Sequence, residues 1–172
     1  MNTLRTFALP VLAAALAVPA FVAAPAGATP APNRTGTLIK YHGTEARATL
    51  PLRPNRLPGA PKEFRTFVKG QLHQMWDDLG HTPGCKTSPL ITVNAVRTDG
   101  FALGDVNTRP RRHCYTGGGY VAFWAIRQGE WKEVIGTQDV VACDRLERLD
   151  FPSELGVDEC WDGHDVVPYT HV

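Results

Sequence analysis

Serine is nearly missing from this chain of 172 residues: only Ser88, before a proline, and Ser153, after one, occur. Neither stands in G-x-S-x-G, so a serine nucleophile lacks its usual strand-to-helix elbow. Neither H-E-x-x-H nor C-x-x-C is present, which removes the tight ligand spacings of common zinc sites. Charge excess is missing too, with 18 Lys and Arg against 17 Asp and Glu. A chain so balanced has no surplus of cations to displace counterions from a polyanion, and a general nucleic-acid or anionic-membrane binder is not expected. Internal repeats are absent.

Only one long apolar run exists, Phe7 to Ala24, and it is preceded by the single positive charge Arg5 and followed by Ala26-Gly27-Ala28. That layout reads as a secretory signal peptide over residues 1–28, cleaved before Thr29. Pro10 and Pro19 interrupt the run and no basic stop-transfer cluster follows it, so no membrane anchor is expected. Removing the segment removes Arg5 and no acid, which brings the mature chain to zero net charge. A secreted, monomeric chain is the expectation. At roughly 150 residues it buries close to 70% of its unfolded surface, enough for one core.

The four cysteines, Cys85, Cys114, Cys143 and Cys160, all lie in the mature part. An even number in an exported chain reads as two disulfides. Of the three connectivities, Cys85 with Cys114 and Cys143 with Cys160 join neighbours along the chain. Each loop of this size is worth roughly 3 to 4 kcal/mol in the chain-entropy picture.

Residues 29–60 hold Pro30, Pro32, Pro51, Pro54 and Pro58 and read as an extended or disordered arm, with Thr37 to Tyr41 as its one candidate edge strand. Residues 61–172 read as a single α+β domain. Pro61 opens a long helix in which Phe64, Phe67, Val68, Leu72, Met75, Trp76 and Leu79 form one apolar stripe, and Gly80 closes it. The pattern then changes to period two. Leu90–Arg97 and Phe101–Val106 flank the Asp99-Gly100 hairpin signal, and Tyr120–Arg127 is apolar enough for a central strand covered on both faces. Trp131–Gln138 returns after Gln128-Gly129-Glu130. Ala142, Leu146 and Leu149 mark a short C-terminal helical segment, and a second turn runs from Pro152 to Gly156. The expected architecture is one long helix packed on a four-stranded antiparallel meander, with two disulfides.

Four sequence features invite a chemical reading. Thr116 to Ala122, TGGGYVA, matches G-x-G-x-x-A, but it leads into a strand rather than a helix N-terminus, so it lacks the amide groups that hold a pyrophosphate. Asp158 to Asp165, DECWDGHD, is rich in carboxylates. Its calcium-loop register fails, because Cys160 stands at a ligand position and Tyr169 at the closing glutamate. His164, Asp165 and His171 could gather a metal only through a fold the spacing does not specify. Of the tryptophans, which can stack sugars, Trp76 and Trp124 fall on core patterns and Trp131 and Trp161 are undecided. The connection Asn107 to Gly119 is the strongest binding candidate, because it places Arg109, Arg111, Arg112 and His113 beside Cys114 in a long link between strands.

Within Gly119 to Cys160, the residues Gly119-Tyr120-Val121, Trp124, Gly129, Trp131, Val134, Gly136-Thr137-Gln138-Asp139, Cys143, Leu146, Pro152 and Cys160 resemble a group of small exported proteins of high-GC Gram-positive bacteria. The resemblance covers about a quarter of the chain. It implies an extracellular, disulfide-bonded domain and carries over no catalytic residue, cofactor or metal. The reading that follows is a secreted, non-catalytic module that binds an extracellular protein or a cell-envelope polymer. Two alternatives stand beside it: an inhibitor of a trypsin-like protease that inserts an arginine, and a small extracellular enzyme using His164 and Asp165.

Overall fold

A computed structural model describes residues 35–53, 55–78, 88–109 and 118–171. The signal segment 1–28, the helix-closing Leu79 and Gly80, and both Cys85 and Cys114 lie outside the described residues.

The long helix α1, Lys62–Asp78, begins directly after Pro61 and carries Glu63 in its first turn, where a carboxylate suits the exposed amide groups. Phe64, Val68 and Leu72 are fully buried and Phe67 and Met75 are partly so. Trp76, expected in the stripe, is 37% exposed. Helical geometry gives the reason: Met75 lies about 20° around the helix from Phe64, whereas Trp76 lies about 120° away, at the stripe's margin.

The sheet has six strands, not four. β1 is Leu38–Lys40, β2 Arg47–Ala48, β3 Ser88–Arg97, β4 Phe101–Arg109, β5 Tyr120–Arg127 and β6 Glu130–Thr137. β3 to β6 form the expected antiparallel meander, and β1 and β2 pair one after the other along the outer side of β3. The stretch read as an arm therefore supplies two strands, the first of them the anticipated edge strand, and four core residues, Tyr41, Ala46, Ala48 and Leu57. The sequence offered too short an apolar alternation to show β2, because its two residues are held by pairing to β3.

Both faces of the meander are covered. On one, α1 packs against Ile91, Val93, Val96, Ala102, Val106, Ala122 and Trp124. On the other lie Ala95, Leu103, Phe123 and Ile135, under the C-terminal segment. Two bulges make this division possible. After the irregularity between Val93 and Ala95, Val96 rather than Ala95 faces α1. A second irregularity opposite Phe123 and Trp124 lets Glu133 pair with Trp124 and Ile135 with Phe123, with Val134 as the extra residue. Trp124 is fully buried beneath α1, with Phe64 edge-on at 6.0 Å. Its indole fits because position 104 has no side chain: a Cβ on Gly104 would lie 2.9 Å from Trp124 Cζ3 and 2.2 Å from the Thr92 carbonyl oxygen.

The C-terminal layer comprises α2, Cys143–Arg148, a 3-10 turn over Ser153–Leu155, and a hairpin of β7, Glu159–Trp161, with β8, Val166–Pro168. Gly156 ends the 3-10 turn at φ 108°, a left-handed conformation that glycine adopts without strain. Cys143 and Cys160 form the expected disulfide. The Tyr169 hydroxyl donates to the Phe151 carbonyl at 2.8 Å. Arg97, 5% exposed, ties this layer to the sheet: its guanidinium takes both oxygens of Asp99, at 2.9 and 2.7 Å, and reaches Glu154 in the 3-10 turn.

Two outcomes follow from this packing. Gly104→Ala should lose about 2 kcal/mol or more in urea unfolding, and unchanged stability would refute the close approach of Trp124. The hydrogen bond from Arg97 holds the Asp99 carboxyl below its ordinary range, against an opposing effect of burial. A lowered folded pKa gives stability that is present above the unfolded carboxylate value and lost as pH falls through the folded one. Asp99→Asn should therefore cost about 2 kcal/mol near neutrality, and the gap from the parent should narrow below about pH 4. A gap that stays constant down to pH 2 would show that the Asp99 charge contributes nothing.

Candidate functional site

The connection singled out in the sequence springs from the interior of the sheet. Arg109 is the last residue of β4 and pairs with Ser88, while Gly118 and Gly119 lead into β5. Arg111, Arg112, His113 and Cys114 lie outside the described residues, as does the side chain of Arg109. β4 and β5 have neighbours on both sides, so the connection leaves the end of the sheet and not an exposed edge. The glycines have a packing role. A Cβ on Gly119 would meet the Asn107 side chain at 2.8 Å and the Val106 carbonyl at 2.9 Å. The Gly119 carbonyl accepts from Gln138 Nε2 at 3.0 Å. Ala122, the third fingerprint position, sits within β5, so the run meets no helix N-terminus.

Beside these strand ends lie two recesses that share Tyr120 and Glu133 in their linings, the first of them between α1 and the sheet. One, about 280 Å³, is lined by Gln71, Gln74, Met75 and Asp78 of α1 together with Val106, Tyr120 and Glu133. The other, about 440 Å³, is lined by Tyr120, Glu133, Gly136, Thr137, Gln138 and Asp139. Three carboxylates line the pair and, among the described residues, no Lys, Arg or His does.

Local structure places each group. On β6, Glu133 follows Trp131 by two residues and so shares its inward face. Gly136, beyond the bulge, leaves the space the carboxylate occupies, since a Cβ there would lie 2.7 Å from Glu133 Oε1 and 2.9 Å from Tyr120 Cε2. Gln71 lies only about 20° around α1 from Phe64, inside the apolar stripe. Glu133 Oε2 accepts from Gln71 Nε2 at 3.3 Å and from the Tyr120 hydroxyl at 3.1 Å. Both donors are neutral. No ion pair to Glu133 occurs among the described residues. Burial first, then the neighbouring charge of Glu133 and the hydrogen bond to it, push the Tyr120 phenol up to about 12, so it remains a neutral donor. Gln71 Oε1 and Thr108 Oγ1 are buried without a hydrogen-bond partner among the described residues. Orphans of this kind call for an explanation. At Gln71 the amide nitrogen is turned to the carboxylate and its oxygen is left unsatisfied.

None of these residues was singled out as a binding candidate in the sequence, although Gln71 and Glu133 each break a pattern there. Gln71 interrupts a helical apolar stripe, and Glu133 takes an inward position on a strand whose second residue is a buried tryptophan. A polar residue at an apolar period is the signal that was present.

The C-terminal candidates are not brought together. The backbone amides of His164 and Asp165 donate to Asp162 Oδ1 at 2.8 and 2.9 Å, closing an exposed turn. His171 lies elsewhere, its Nε2 2.5 Å from Asp150 Oδ1. Among the described residues no three His, Cys, Asp or Glu side chains are grouped to hold a metal. The Ser153 hydroxyl donates to the His171 carbonyl and accepts from its amide, so it faces backbone and not the imidazole. Trp131 is buried, and Trp161 is 42% exposed across the hairpin from Val166.

No protein-family model, curated protein or solved structure matches the chain.

Burial holds Tyr41, like Tyr120, at about 12. Rapid-mixing absorbance at alkaline pH should show the phenols of Tyr41 and Tyr120 ionising about two pH units above the ordinary value near 10. Tyr120→Phe should remove one of them. Glu133→Gln should lower the Tyr120 midpoint but leave it above 10, because burial is the larger cause; a full return to 10 would show that the carboxylate dominates.

Proposed function

We propose that this protein is an exported, non-catalytic module that binds an extracellular protein or an envelope polymer through the end of the sheet formed by the Asn107–Gly119 connection and the recesses beside it. The observation that carries this reading is the half-buried Glu133 carboxylate, held by two neutral donors and open to recesses where the connection starts and ends. Arrangements of this kind, few polar groups converging in a concave and partly apolar lining, are what ligand sites are made of.

Export is supported by the zoning of residues 1–28 and by the Cys143–Cys160 disulfide, since such bonds persist in oxidising compartments. No helix among the described residues is long and apolar enough to cross a membrane. Pairing of Cys85 with Cys114 belongs to the same proposal. Ser88, three residues after Cys85, pairs with Arg109, five before Cys114, so the two segments join the sheet at neighbouring points. A disulfide there would brace the basic connection at its base.

The test is affinity capture with the protein recovered from an exporting host, using the source organism's culture supernatant and cell envelope, and mass spectrometry of what is held. One protein at near one-to-one ratio, or one glycan, should be recovered. Replacing Arg109, Arg111 and Arg112 together by alanine should abolish its capture and leave the melting temperature nearly unchanged. Undiminished capture by the triple variant would refute the role of the connection.

A further inference from the structure

We infer that the two recesses flanking Glu133 form a socket for one guanidinium or ammonium group of the bound partner. This deepens the binding role proposed above by naming the chemistry, and it stands on the cleft alone.

Several independent features point to a cation. The Glu133 carboxylate is half-buried, and among the described residues it faces only a phenol and an amide. Charges so placed are normally paired or coordinated, because desolvation of an ion is expensive. Both of its hydrogen bonds enter at Oε2, and Oε1 occupies the space that a side chain on Gly136 would fill, at the wall of the second recess. A planar guanidinium or a compact ammonium can reach Oε1 there without displacing Gln71 or Tyr120. The setting is matched to the charge. Asp78 lines one recess and Asp139 the other, and among the described residues no basic side chain lines either one. Met75 and Val106 supply an apolar wall against which the methylene stem of such a side chain can lie. A ligand anion would meet three carboxylates, and a neutral ligand would leave the central one uncompensated. The apolar wall favours a lysine or arginine side chain of a partner protein, which carries such a stem, over the amino sugar of an envelope polymer, which does not.

Titration followed by 1H–15N NMR of the protein purified from full-length expression separates these. The probes are Nα-acetylarginine methylamide, its uncharged isostere Nα-acetylcitrulline methylamide, glucosamine and N-acetylglucosamine. The charged member of at least one pair should shift the signals of Tyr120, Glu133, Gly136 and the Gln71 side-chain amide, and should bind at least tenfold more tightly than its neutral partner. Preference for arginine assigns a protein ligand and preference for glucosamine an amino-sugar polymer. Glu133→Gln, which keeps the shape and removes the charge, should weaken the charged probe at least tenfold. Should that variant fold poorly, Asp78→Asn with Asp139→Asn, both at exposed positions, should weaken it at least threefold. Equal binding of charged and neutral probes, binding unaffected by these substitutions, or no shift at the recess would overturn the inference. That result would leave the arginine-dependent capture untouched, so failure of the socket and failure of the connection can be told apart.

Discussion

The constraint on which this fold turns is that β4 and β5 are covered on both faces. Trp124, in the middle of β5, is fully buried beneath α1, and Phe123, the next residue back, packs against Phe151 of the C-terminal layer at 5.0 Å. A strand used on both sides has no face left for a ligand. Chemistry is thereby pushed to the ends and edges of the sheet. One edge is taken by β1 and β2, and at the other Arg145 donates to the Val134 carbonyl of β6. At the end where β4 passes to β5, Gln71, Gln74, Met75 and Asp78 of α1 line one of the two recesses around Glu133.

The same covering dictates where irregularity is tolerated. Each bulge exchanges the two faces of a strand, so a residue that regular alternation would send to one layer is delivered to the other. On β3 the exchange puts Ala95 under the C-terminal layer and Val96 under the helix. On β6 it restores Ile135 to the C-terminal core directly after Glu133 has been turned toward α1. Placing a carboxylate on an inward face would break the apolar pattern of a short strand. The extra residue lets β6 do so and still contribute Ile135 to the core.

Much of the architecture was legible in the sequence. The Asp99-Gly100 hairpin, the two-sided apolarity of β5, the turn closed by Gly156 and the Cys143–Cys160 bond each rest on local chemistry with few competitors. What was not legible depends on distant partners. β2 is two residues long and exists because Arg47 and Ala48 find Thr92 and Ile91 across a sheet. Trp76 carries the residue type of a core position but lies one step past the stripe's limit, a matter of angle along the helix and not of composition. The candidate site was hidden for a related reason. Its members stand 71, 120 and 133 along the chain, and only the register of β5 with β6 and the packing of α1 bring them within hydrogen-bonding distance.

The retention of this polar group in an otherwise apolar layer is the strongest argument that it has a use. Replacing a buried polar set by apolar residues of similar size is often neutral or stabilising. Glu133, Gln71 and Tyr120 could be exchanged for leucine, methionine and phenylalanine with little steric change, and the orphaned oxygen of Gln71 would disappear with them. Stability alone therefore gives no reason for the arrangement. Arg97 makes the contrast within the same molecule. It is more deeply buried than Glu133, but it is met by both Asp99 and Glu154, so its charge is compensated by the fold itself. At Glu133 the described fold supplies shape and hydrogen-bond donors but no opposite charge, and the recess lined by Glu133 and Gly136 is where the proposed cation would enter.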